Sequence, residues 1–165
     1  MRIIVVTGEL HEPTMLPAGK ALFMKILVPV DASPASLRAL KFAIALPKGQ
    51  EPVSLLVLNV QNLSTLNFTE GAGIMPLSWI EQEEERASRE VLQEPKSICE
   101  QAGIPYSART ERGGIAETIA LVAREEHADQ IIMGTRGLGG VRGLLLGSVA
   151  TQVLHLVDVP VTFVK

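Results

Sequence analysis

Three glycines and a serine near the end of the chain have types and spacing that could do chemistry, as Gly134-x2-Gly137-x9-Gly147-Ser148. Ile131–Met133, preceded by Gln130, leads into them as a short apolar run of buried-strand type. Beyond Gly147, Val149, Val153, Leu156 and Val157 recur on one face at helical spacing. Ser148 is a good N-cap residue, and Pro160 ends the helix before a closing strand over Val161–Val164. A strand that feeds a glycine-rich loop ending on a helix N-terminus is an anion site. The first helical amides have no internal partner, and the helix dipole adds positive potential there. Glycine allows close backbone approach to a phosphate, and the Ser148 hydroxyl can donate to a phosphate oxygen. Arg136 and Arg142 add charge within the loop. From spacing alone two readings stand: a phosphate cradle, or a long turn with solvated arginines.

Asp31 is the second candidate. Ile26–Val30 reads as a buried parallel strand, Asp31 closes it, and Ser33 caps a helix that opens with Pro34. An acidic residue at the C-terminal end of a first strand is either a turn residue or a ligand for ribose hydroxyls or a metal-bridged phosphate. Open α/β sheets place ligand contacts at that end of their strands.

The elements that must position these residues are legible in order. The first helix runs to about Leu46 with Leu37, Leu40, Ala43 and Ile44 inward, and Pro47 ends it. Val53–Val60 is a second apolar strand. Residues 61–79 read as a long loop, either a lid or contact surface anchored by Phe68, Met75 and Trp79, or a loop folded onto the surface. Glu81–Ala102 is a helix that Pro95 should kink or split. Ile104–Thr110 and Asp129–Met133 are further strands, around a helix from Ile115 to about His127. The alternation β-α-β-α-β-α-β-α-β indicates a parallel sheet with helices on both faces.

Composition narrows the function classes. The chain is one domain in size, and 47% hydrophobic residues suit a packed core. A formal charge of −3 offers no basic excess for nucleic acid. Its apolar runs are strand-length, so no membrane span is expected. A single cysteine, Cys99, precludes an intrachain disulfide and suits a cytoplasmic location. No P-loop is present, because Ser148 rather than Lys follows Gly147. The dinucleotide fingerprint fails at Arg142. His11, His127 and His155 are scattered, and no zinc motif or GxSxG elbow occurs. No catalytic residue is assigned. Residues 1–23 stand apart as an extension to a domain at 24–165, and their apolar run is too interrupted for a signal peptide. The strand-like Arg2–Thr7 leaves three readings open: an added edge strand, a partner contact, or translation from an upstream start.

Together, MKILVPVDASPASLRAL, HADQIIMGTRG, LLLGSVA and VPVTFVK resemble the universal stress protein family in order and spacing, over Met24 to Lys165. The resemblance implies an open, doubly wound parallel five-stranded α/β sheet of strand order 3-2-1-4-5, adenine nucleotide alpha hydrolase-like. It implies ATP, or ADP or AMP, held with Mg²⁺ in the crevice between the first and fourth strands. The site would comprise Pro29, Val30, Asp31, Ala32 and Ser33 after the first strand, with backbone near Asn59 and Val60 facing adenine. Met133, Gly134, Thr135, Arg136, Gly137, Gly147, Ser148, Val149 and Ala150 would complete it, with Asp31 in indirect contact with the metal. It also implies a homodimer through Val161, Thr162, Phe163 and Val164, a strand expected to lie open at the sheet edge. The expected role is a nucleotide-dependent stress or regulatory module. An ATP-activating enzyme, a slow ATPase and a dimeric interaction module without nucleotide are the alternatives.

Overall fold

The structure, a computed structural model, describes residues 3–6, 24–46, 52–62, 77–138 and 146–165. The elements run β1 (Ile3–Val6), β2 (Met24–Pro29), α1 (Pro34–Ala45), β3 (Val53–Gln61), α2 (Leu77–Ala102) and β4 (Tyr106–Arg112). They continue with α3 (Ile115–Glu125), β5 (Gln130–Gly134), α4 (Ser148–Leu156) and β6 (Val161–Val164). All lie in or on one sheet of order β1-β6-β5-β2-β3-β4. Its five parallel strands have the expected 3-2-1-4-5 order when counted from β2.

Period-two alternation divides the core into two layers. Leu27, Leu56, Leu58, Ile131, Met133 and Phe163 pack with α3 and α4 on one face. Ile26, Val28, Leu55, Val57, Ile132 and Val164 pack with α1 and α2 on the other. No helix among the described residues is long and apolar enough to cross a membrane.

Several local expectations change. The sheet has a sixth strand: β1 lies antiparallel on β6, pairing Ile3 with Val164 and Val6 with Val161. Of the three readings of the N-terminal segment, residues 3–6 form an added edge strand. The edge of Val161, Thr162, Phe163 and Val164, expected to lie open, is therefore paired with β1.

Helix α2 starts at Leu77, takes in Trp79, and runs unbroken through Pro95 to Ala102. Proline removes one helical N–H. However, Ser88, Leu92, Pro95 and Cys99 form a buried stripe at helical spacing, so packing against the sheet holds the helix together. The remainder of the expected loop, including Phe68 and Met75, lies outside the described residues. Strand β4 begins two residues later than expected, at Tyr106, and extends to Arg112. The buried face of α4 centres on Ala150 and Val153, whereas Leu156 is exposed.

Candidate nucleotide crevice

The site arises where two neighbouring strands part. Strands β2 and β5 pair at Ile26–Gln130 and Leu27–Ile131. Beyond those pairs β2 continues to Pro29 and β5 to Gly134. The widening gap opens at the C-terminal ends of the strands, at the point where the strand order reverses. The N-terminus of α1 wedges into it. A Cβ on Gly134 would lie 2.8 Å from the Ala35 carbonyl carbon and 3.0 Å from the Ser36 nitrogen. Gly134 thus admits the helix, a packing role distinct from the phosphate role expected of it.

Asp31 joins the two sides. Its Oδ1 accepts from the Ser33 N–H at 3.1 Å, closing the turn into α1. Its Oδ2 accepts from the Leu138 N–H at 3.2 Å, on the glycine loop. A Cβ on Gly137 would collide with the same Oδ2, so Gly137 lets the loop approach the carboxylate. Ala32 between them holds a left-handed φ of 61°, which costs a non-glycine residue roughly 1 kcal/mol. Ser33 caps α1 as expected, its Oγ accepting from the Ser36 N–H at 3.2 Å.

On the far side, Thr135 anchors the loop at both ends. Its N–H donates to the Val164 carbonyl at 3.0 Å, and its carbonyl accepts from the Gly147 N–H at 2.8 Å. The loop between Thr135 and Gly147 is therefore tied shut at its base. Gly147, not Ser148, is the N-cap of α4, and no side chain caps this helix. Ser148 is the first helical residue and is exposed. Its hydroxyl and the first-turn amides are placed to receive an acceptor from outside the helix.

Most of the expected site residues converge here. Pro29, Val30, Met133 and Thr135, at or just beyond the strand ends, are buried. Ala32, Gly137 and Ser148 are exposed at the rim, and Arg136, Gly147 and Val149 are half-buried. Ala150 is buried behind the α4 terminus, and half-buried Val60 stands near the end of β3. Arg142 lies outside the described residues. Histidines 127 and 155 lie outside this cluster, on the turn after α3 and near the end of α4.

The side-chain bonds of Asn59 and the Leu138 amide were not part of the sequence reading, which placed only the backbone near Asn59 and Val60. Asn59, almost fully buried, donates from Nδ2 to the Val30 carbonyl at 2.9 Å and accepts from Gln61 Nε2 at 2.5 Å. It fixes the strand end that carries Asp31. Its signal was an amide within the apolar run LLVLNV. The Leu138 amide left no side-chain signal.

No group of three or more histidine, cysteine or acidic residues among the described residues could hold a metal by itself. Asp31 supplies one carboxylate to this crevice, so a divalent ion here needs most of its oxygen ligands from a phosphate and water. A cavity of about 550 Å³ lies elsewhere, between α2 and β4, lined by Arg89, Leu92, Lys96, Thr110 and Arg112 among others. Glu85 and Glu111 share it with these cations, and the Ser88 and Thr110 hydroxyls bond each other within it. At the β2–β5 crevice, by contrast, the glycine loop bonds Asp31 through Leu138 and runs to the N-terminus of α4.

The sequence profile of the universal stress protein family matches residues 22–165. The chain belongs to the universal stress protein family. Universal stress protein MJ0531 of Methanocaldococcus jannaschii is 33% identical over 149 residues, which is 89% of this chain and 85% of that protein. Among solved structures, protein MJ0577 superposes with a TM-score of 0.74 at 26% identity, over 87% of this chain and 96% of that one. A universal stress protein family member from Arabidopsis thaliana, solved with AMP bound, shares the fold. Its TM-score is 0.61 at 18% identity, over 86% of this chain and 91% of its own. The five-stranded parallel sheet of this universal stress protein is of the adenine nucleotide alpha hydrolase-like type.

Proposed function

We propose that this universal stress protein binds an adenine nucleotide, ATP with Mg²⁺ in its fullest form, in the crevice between β2 and β5. The observation that carries this reading is the Asp31 carboxylate. It holds the turn into α1 and the glycine loop together beside the uncapped α4 terminus. Adenine would lie towards Val60 and Met133, read by main-chain groups at the strand ends. Asp31 would face the ribose and, through water, the metal. Phosphates would lie against Gly137, Gly147 and the first-turn amides of α4, with Ser148 donating its hydroxyl and Arg136 adding charge. The AMP-bound relative supports an adenine nucleotide as the ligand class.

The described residues of the crevice hold no histidine and no carboxylate besides Asp31. The proposed role is therefore binding, with the nucleotide biasing the glycine loop in a cytoplasmic regulatory or stress-response module. Hydrolysis, where it occurs, is slow. The test is calorimetric titration with ATP, ADP and AMP, with and without Mg²⁺, and mass spectrometry of any ligand carried through purification. Binding of micromolar order, about −8 kcal/mol, is expected. Absence of both binding and carried ligand would replace this reading with an interaction module that works without nucleotide.

A further inference from the structure

The two edges of the sheet are protected in different ways. On the β4 edge, Arg109, Glu111 and Arg112 place charge along the strand. Arg109 pairs with Glu111 at 2.5 Å and with Glu125 and Glu126 at 3.2 Å. Charges of this kind discourage pairing with another chain. β6, the other outer parallel strand, has the sequence VTFV, no charge, and all four residues buried. Its own side chains offer no such protection. Its unpaired row is covered instead by β1, with the sequence IIVV, in a register of four residues.

A strand that pairs with its own copy across a two-fold axis does so antiparallel. β1 lies antiparallel on β6, so it occupies the position that a second copy's β6 would take. We propose that β1 is a releasable cap: in place it keeps the chain single, and released it exposes β6 to antiparallel pairing with β6 of a second copy. The proposal does not rest on nucleotide binding.

Chain connectivity sets the balance. β1 and β2 are separated by β6 and β5, three strand spacings or about 14 Å. The connecting residues 7–23, about 17 of them, could extend to about 55 Å, so the tether need not be stretched. A short tether of this kind gives an effective concentration of millimolar order. At micromolar protein, β1 therefore outcompetes a second copy of equal intrinsic affinity by about a thousandfold. A four-residue pairing at a sheet edge also opens far more readily than the core. The cap can be released without unfolding the domain.

Sedimentation of the full-length chain between micromolar and millimolar concentration tests this with three variants. Ile4→Pro/Val5→Pro removes two successive N–H groups, one of which must face β6. It is expected to dimerise at a concentration at least tenfold below wild type. Ile4→Gly/Val5→Gly should shift in the same direction by less, so a proline variant that fails to fold does not decide the matter. Val6→Cys/Val161→Cys, placed at a paired position and oxidised when dilute, should remain monomeric at every concentration. The native Cys99 is buried and does not compete. A glycine variant no more associated than wild type would overturn the proposal. So would an oxidised cross-linked form that dimerises as wild type does.

Discussion

The Asp31 carboxylate and the Leu138 amide, 107 positions apart in the chain, meet at 3.2 Å across the β2–β5 crevice. This bond attaches the glycine loop to the strand that carries the acidic residue. Asp31 thereby shapes the loop as well as closing the turn into α1.

Removing that acceptor should cost binding more than removing the neighbouring cap. Asp31→Ala is expected to weaken adenine-nucleotide affinity at least about tenfold, the loss of one charge-assisted hydrogen bond. Asp31→Asn should also lose affinity, because an amide can satisfy the Ser33 N–H but would present a donor or an uncharged acceptor elsewhere. Ser33→Ala should instead reduce stability by about 1 kcal/mol, through loss of the α1 cap, with a smaller change in affinity. Titration calorimetry and urea unfolding of the three variants separate the effects. The reverse ranking in affinity would remove Asp31 from the site.

The glycines should divide into two classes. Gly134→Ala drives a Cβ against the backbone of α1 and is expected to destabilise the fold by about 1–3 kcal/mol. At Gly147 an added Cβ finds its nearest neighbour at 3.5 Å, an ordinary contact, and φ is −78°. Gly147→Val should therefore cost less stability than Gly134→Ala, chiefly through the poorer N-cap, while lowering nucleotide affinity. Denaturation and binding measured on both variants check this. Unchanged affinity in Gly147→Val would mean that the loop does not receive phosphate.

Acid sensitivity should trace partly to Glu126. The Lys25 ammonium bonded to it at 3.0 Å, followed by Arg109, holds its carboxyl below the usual range. A carboxyl depressed in the folded state stabilises the fold above its unfolded pKa of about 4.3, and that contribution is lost as pH falls through the folded value. Glu126 and Lys25 are each about a third exposed, so the contribution is at most about 1 kcal/mol. Glu126→Gln should be less stable than wild type at neutral pH and approach it at about pH 2–3. An equal difference at both pH values would show that the charge plays no part.

Cys99 should be chemically silent in the folded chain. It is fully buried in the layer beneath α2, and burial, then the neighbouring Glu100 charge, pushes its thiol up to about 11. Thiolate is the reactive form. Labelling by a disulfide reagent near pH 8 should therefore proceed only at the rate of unfolding, accelerating as urea is added. Rapid labelling in native buffer would contradict this burial.

The succession of strands and helices along the chain was legible because two-sided apolar runs, helix caps and glycine punctuation are local signals. Ile26–Val30, Ser33-Pro34 and Gly134 to Ser148 each carry theirs within a few residues. The family resemblance converted that string of elements into a strand order. Local signals failed where a neighbour distant in the chain decides the outcome. Pro95 breaks helices on propensity, yet the stripe of Leu92 and Cys99 against the sheet keeps α2 continuous. At Gly134 the sequence did not show that a Cβ would lie 2.8 Å from the α1 backbone, a packing reason for glycine there. Asp31 closes the turn at Ser33, as a local reading allows, but its bond to Leu138 has only a tertiary origin. The VTFV edge was expected to be open from the family resemblance, since no sequence pattern reveals that a strand at the opposite end of the chain lies on it. Composition and periodicity determined which faces are buried. Which backbone groups meet across the sheet was decided by the tertiary structure, because hydrogen-bond partners carry no side-chain signature.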